Sequence, residues 1–162
     1  MEDKKPVKSF YDLEVYQAAY NAAITTIKQI LPKLPKEEKF DLDDQLRRSA
    51  KAVPRLIAEA YSKRYQKKGY QSLLDDAAEE SNETIVSLSQ ARDLYSVEPA
   101  LCTELIKIYD KTSRQLQNLS LAWANFRPRK TKEDNEQVYL KPQPEQDTNL
   151  THTQNYNNAG GQ

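Results

Sequence analysis

Few residues in this chain could do covalent or metal chemistry, and their spacing narrows the choice further. Glu79 and Glu83 stand four apart beside Glu80, so carboxylates share one face of a helix. That pattern suits a hard divalent cation, and it suits a solvated acidic face more simply. A di-iron bundle needs Glu-x-x-His motifs, and the single histidine, His152, sits in a polar C-terminal stretch. The same isolation of His152 argues against Ser-His-Asp and Cys-His nucleophiles. The single cysteine, Cys102, can form neither an internal disulfide nor a cysteine zinc cluster. It reads as a small buried residue near a helix start. No Gly-rich phosphate loop occurs. The expectation is a protein that is not an enzyme, with no catalytic residue, no metal and no cofactor.

Charge is the stronger signal. From residue 47 to 68 stand eight basic residues, Arg47, Arg48, Lys51, Arg55, Lys63, Arg64, Lys67 and Lys68, against one acid, Glu59. Arg47, Lys51 and Arg55 follow at steps of four and form a slowly drifting stripe. Lys63, Arg64, Lys67 and Lys68 carry positive charge to the helix end, where it complements the negative pole of the helix dipole. Tyr61, Tyr65 and Tyr70 lie near them in sequence, and cations with aromatics suit phosphate contact plus base stacking. These eight are the candidate nucleic-acid-binding residues. The competing reading is structural: the cations pair with Asp75, Asp76, Glu79, Glu80 and Glu83 of the next helix, at about 0–1 kcal/mol per exposed pair. For Arg47 and Arg48 the two readings weigh equally. Arg127, Arg129, Lys130 and Lys132 form a further basic patch, read first as a solvated linker.

Four helices position these groups. Leu13, Gln17, Tyr20, Ile24, Ile27 and Leu31 make one helical stripe, with Ser9 and Asp12 as a start signal and Pro32 and Pro35 as stops. Val15, Ala19 and Ala23 lie off that stripe and suggest a second apolar face for another subunit. Leu42, Leu46, Ser49, Val53, Leu56 and Ala60 make the second stripe, with Asp41 as a cap. Tyr70, Leu74, Ala77, Ser81, Thr84, Leu88, Ala91 and Tyr95 make the third, after a turn at Gly69. Leu105, Ile108, Thr112, Leu116, Leu119, Trp123 and Phe126 make the fourth, opened by Pro99. The average spacing and short links predict an all-α, up-down-up-down antiparallel four-helix bundle. Pro54 falls inside helix two and predicts a kink rather than a break.

Composition agrees. The 162 residues are 38% hydrophobic and 30% charged with zero net charge, and only 3 are glycine, too few for phosphate loops or tight-turned sandwiches. Neutrality argues against a uniformly basic nucleic-acid binder. No apolar run approaches the roughly 20 residues of a membrane span, and residues 1–10 lack the apolar core of a signal peptide, so no membrane partner and a cytoplasmic location are expected. Residues 1–8 read as a flexible N-terminus, 9–127 as the bundle and 128–162 as a disordered polar tail rich in Asn, Gln, Thr and Pro.

The string Leu42-Asp-Asp-Gln45-Leu46-Arg47-Arg48-Ser-Ala50, then Val53-Pro54, then Ile57-Ala58-Glu59, resembles the signature of a four-helix-bundle family. Its members are encoded in intervening sequences of bacterial 23S ribosomal RNA genes. Ser9-Phe10-Tyr-Asp12-Leu13-Glu-Val15-Tyr16-Gln17 and Leu34-Pro35-Lys36-Glu37-Glu38 are similar to its first helix and first loop. Leu56 and Ala60 stand where the family usually has Asn and Gly. The resemblance implies a homopentamer, and a distant relationship to the accessory variability protein of diversity-generating retroelements, which binds nucleic acid and a reverse transcriptase. Two functions follow as expectations. One is an oligomeric nucleic-acid-binding adaptor, for RNA or DNA, acting beside a reverse transcriptase or other nucleic-acid enzyme. The other is a protein–protein scaffold without nucleic-acid contact.

Overall fold

A computed structural model describes residues 7–66 and 69–125. Lys67, Lys68, Phe126, the patch from Arg127 to Lys132, His152 and the expected tail at 128–162 lie outside the described residues. Within them the chain is all-helical. Helix α1 spans Glu14–Thr25, α2 Leu42–Ser62, α3 Gln71–Tyr95 and α4 Pro99–Ala124. Helix α3 packs against α2 and α4, and α1 packs against the same two, so four helices surround one core.

Helix α2 follows its sequence closely. All six residues of its apolar stripe, from Leu42 to Ala60, are buried. Leu46, Val53 and Ile57 are fully enclosed, and each contributes about 1.5–3 kcal/mol by leaving water. The helix runs without interruption through Pro54, whose side chain is buried. Asp41 stands at the N-cap position without capping, because its carboxylate accepts the Gln45 amide at 3.2 Å. The Glu38 carboxylate takes the Leu42 backbone N–H at 3.3 Å and the Tyr95 hydroxyl instead.

Helix α3 also keeps its expected face, buried from Leu74 to Ala91 with Tyr95 half-buried. Its small polar residues are satisfied inside the core. Ser81 Oγ donates to the Tyr109 carbonyl at 2.9 Å, and Thr84 Oγ1 lies 2.9 Å from Ser49 Oγ and 2.8 Å from the Glu80 carbonyl. With one proton, Thr84 bonds that carbonyl and accepts from Ser49. A Schellman-type turn ends α3: the Val97 N–H reaches the Ala91 carbonyl at 3.1 Å, Ser96 is left-handed at φ 53°, and the Val97 side chain is buried. Glu98 is left-handed as well, at φ 39°, and Pro99 opens α4.

Helices α1 and α4 correct the expected stripes. On α1 the core takes Val15, Tyr16, Ala19, Ala22 and Ala23, while Gln17 and Tyr20 are exposed and Ile24 and Ile27 half-buried. The residues expected to form a second, subunit-facing surface are therefore the core face. A π-helical turn at Thr26–Ile30 follows α1 and buries Thr26 and Ile30. Asp12 does act at the start, accepting the N–H groups of Lys8 and Ser9 at 2.9 and 2.8 Å. On α4 the expected Leu105, Thr112 and Leu116 are buried, but Tyr109 is buried where Ile108 was expected, and Ile108 is 36% exposed.

Candidate functional site

Helix α2 presents its basic residues in three distinct settings. Arg47, Arg48 and Lys63 each bond a carboxylate one turn earlier on the same helix: Asp43 at 2.8 Å, Asp44 at 3.1 Å and Glu59 at 2.9 Å. These partners differ from the α3 acids that sequence spacing suggested. The Lys63 hydrogen bond and charge hold the Glu59 carboxyl below its usual range. The i, i+4 spacing of each acid and base was visible in the chain, and it accounts for three of the eight cations.

Arg64 occupies the second setting, at the C-terminal end of α2. Its guanidinium lies 3.8 Å from the centre of the Tyr61 ring and 4.2 Å from that of Tyr65. It donates to the Tyr61 carbonyl at 2.7 Å and to the Tyr65 hydroxyl at 2.9 Å. Tyr61 is buried and meets Trp123 edge-on, while Tyr65 is 55% exposed. The result is a flat cation stacked against aromatic rings, one of them open to solvent.

Lys51 and Arg55 occupy the third setting. Both are exposed on α2, and among the described residues neither has a carboxylate in ion-pair contact. With Arg48 they form one wall of an open groove of about 1240 Å³ between α2 and α3. The other wall is Glu79, Glu80 and Glu83, and Ser49, Ala52 and Ser87 line it with small side chains. Desolvation raises the Glu80 carboxyl above its usual value, the Glu83 charge adds to this, and Arg55 and Arg48 oppose it. The groove is bipolar, with cations along one helix and carboxylates along the other.

The family model described as 23S rRNA-intervening sequence protein matches residues 11–118, from just before α1 to late in α4. The chain belongs to this family. Both walls of the groove and the Arg64 corner lie inside the matched span, whereas Trp123 lies beyond it. No curated protein and no solved structure matches this intervening-sequence protein.

Metal-ligating and nucleophilic side chains can be placed in the described part of this family member. No group of three His, Cys, Asp or Glu residues there could hold a metal ion, so the acidic face of α3 is no such cluster. Burial pushes the Cys102 thiol up, away from the reactive thiolate. Tyr109 is fully buried, and burial raises its phenol strongly. Among the described residues no helix is long and apolar enough to cross a membrane.

Proposed function

We propose that this intervening-sequence protein is a non-enzymatic, homo-oligomeric adaptor that binds RNA or single-stranded DNA through the C-terminal end of α2. The observation that carries this reading is Arg64, stacked on Tyr61 and Tyr65 with the Tyr65 ring half open to solvent. Aromatic rings with cations beside them suit base stacking together with phosphate contact, and the partly exposed Tyr65 puts this pair at the surface. Lys63, Lys67 and Lys68 supply those cations in sequence. Family resemblance adds a homopentamer, which would repeat the patch around a ring, and a reverse transcriptase as the enzyme served. The bundle in this reading is up-down-up-down with α2 bent at Pro54. Supporting it, Arg92 meets Thr103 close to the α3–α4 turn, and Asn82 meets Ser113 farther from it.

The test replaces Lys63, Arg64, Lys67 and Lys68 together with Gln, which keeps helix propensity. Fluorescence anisotropy with a labelled single-stranded RNA should show weakened binding, similar across sequences. The salt slope should be shallower by about 0.7 per lost phosphate contact. Arg47→Gln with Arg48→Gln is the contrasting variant and should cost stability first, since both residues serve ion pairs. Assembled wild-type protein that binds neither RNA nor single-stranded DNA at low salt would reject the reading. A protein scaffold is the second reading, and the bipolar α2–α3 groove favours it, since phosphate would be repelled by Glu79, Glu80 and Glu83.

A further inference from the structure

We propose that the outward edges of α2 and α3 join copies of this chain head to tail into a closed ring, the basic edge of α2 in each copy docking on the acidic edge of α3 in the next. This rests on the homo-oligomer reading above and is independent of nucleic-acid binding at the Arg64 corner. On the middle turns of α2 the charges that point away from the core are Arg48, Lys51 and Arg55, all exposed at steps of three and four. On α3 the exposed charges over the same length are Asp75, Asp76, Glu79 and Glu83, all acidic, followed by Val86 at 57% exposure. Glu80 is half-buried and leans toward α2 of its own chain, where Arg55 and Arg48 act on it. The other two edges of the bundle carry no single sign. Gln17, Tyr20 and Asn21 leave that of α1 largely uncharged, and α4 mixes Glu104, Lys107, Asp110 and Lys111.

The two edges carry their charges at one height. The Ser49–Thr84 hydroxyl contact ties α2 to α3. With the two helices antiparallel, as in the up-down bundle proposed above, Lys51 lies level with residue 82 and Arg55 with residue 78. Glu83 and Glu79 are each one residue, about 1.5 Å, from those levels. A rotation about an axis parallel to the helices leaves every height unchanged. It therefore brings the cations of one copy level with the carboxylates of the next, at every junction. Laying α2 on α2, or α3 on α3, would oppose equal charges, so repulsion disfavours it.

Angles decide whether such contacts close. Helix α2 packs on α1 and α3, and α3 packs on α2 and α4, so the two stand at adjacent corners of a four-cornered section. Their outward edges then diverge by about 90°. A head-to-tail contact closes on n copies when its two surfaces diverge by 180° less 360°/n, which is about 90° for four copies, about 108° for five and about 120° for six. Adjacent corners therefore suit a small ring, five copies included, whereas surfaces on opposite sides of the bundle would build a filament. The line that bisects the two edges points at the ring axis. The α2–α3 groove then faces the central channel, and the Arg64 corners stand together on one rim. At each junction the charges set partner and orientation. Val86 and the aliphatic stems of Lys51 and Arg55 supply the apolar contact. Closure holds every copy at two junctions, so a modest contact at each suffices.

Charge exchange on the full chain tests this, with the number of copies read by sedimentation velocity and native mass spectrometry. One variant carries Lys51→Glu with Arg55→Glu, a second Glu79→Lys with Glu83→Lys, and a third all four changes. Each of the first two should assemble more weakly by roughly tenfold or more, because every junction then opposes like charges. The third should recover the wild-type ring, since its acidic α2 edge meets a basic α3 edge at every junction. Helicity by circular dichroism checks folding. Should a reversal variant unfold, Lys51→Gln with Arg55→Gln decides, and it should weaken assembly and reduce its dependence on salt. Reversal variants that keep the wild-type mass, or a folded four-change variant that stays dissociated, would overturn the edge contact while leaving oligomerisation through another face. A wild-type protein that stops at dimers would overturn the ring. Monomeric wild-type protein would overturn the homo-oligomer reading as well.

Discussion

Replacing Tyr109 by Phe should stabilise the protein. Tyr109 is fully buried in the core face of α4, and its hydroxyl makes no hydrogen bond to the protein. Thr26 Oγ1, in the π-helical turn after α1, is buried in the same condition. The two hydroxyls are neighbours: Thr26 partly offsets the rise of the Tyr109 phenol, although neither oxygen has a partner in good hydrogen-bond geometry. A buried hydroxyl left unpaired costs about 1–3 kcal/mol. Removing the oxygen leaves a void of roughly 10–15 Å³, which at about 24 cal/mol per Å³ costs only about 0.3 kcal/mol. The net gain for Tyr109→Phe is therefore about 1–2 kcal/mol, equivalent to roughly 4–8 °C in Tm for a domain of this size. Urea titration followed by circular dichroism at neutral pH measures it, with the slope m unchanged. Thr26→Val should also stabilise, and the gains should add if the hydroxyls are independent. The reasoning fails if each single variant is destabilised by about 1 kcal/mol or more while the double variant recovers. That outcome would mean the two hydroxyls bond each other in solution.

Two further outcomes follow from the same geometry. Burial holds the Tyr109 phenol above its ordinary value of 10.0, so above that pH the unfolded chain releases a proton that the folded chain retains. Stability should fall as pH rises past 10, by up to about 1.4 kcal/mol per pH unit for this group, and Tyr109→Phe should flatten that limb in urea titrations. Ser96→Gly should raise stability by about 0.5 kcal/mol, because relief of the left-handed backbone at φ 53° outweighs the extra freedom of the unfolded glycine. A lower Tm in calorimetry would count against the turn geometry.

Helix α2 was legible because large aliphatic residues mark one face, and α3 because charged residues stay off the stripe that carries Leu74, Ala77, Leu88 and Ala91. Leu46, Val53 and Ile57 leave no choice of phase on α2. Helix α1 was not legible for two reasons. Its core face is built of Ala19, Ala22 and Ala23, whose small side chains signal weakly beside Tyr20 and Ile24. The π-helical turn at Thr26–Ile30 separates Leu31 from α1, so a constant spacing that joins the buried Leu13 and Leu31 passes along the exposed side at Gln17 and Tyr20. On α4, Ile108 outweighed Tyr109 in hydropathy, yet the ring went inside. At the candidate site, net charge over residues 47–68 was a poor guide. Asp43 and Asp44 lie just outside that window and engage Arg47 and Arg48. Opposed charge walls across two helices needed the tertiary arrangement, in which α2 and α3 pack side by side.

The seat of α1 between α2 and α4 sets an awkward schedule during translation. Each of the other helices finds a packing partner next to it in the chain, so hairpins can close as they emerge. Helix α1 is made first, but half of its docking surface belongs to α4, the last helix produced. At about 5–20 residues per second, the ribosome needs roughly 5–20 s to go from the end of α1 to the end of α4. For that interval the part of α1 that faces α4 stays uncovered even after the rest has docked on α2, and the nascent bundle closes only when its earliest segment is reclaimed by its latest.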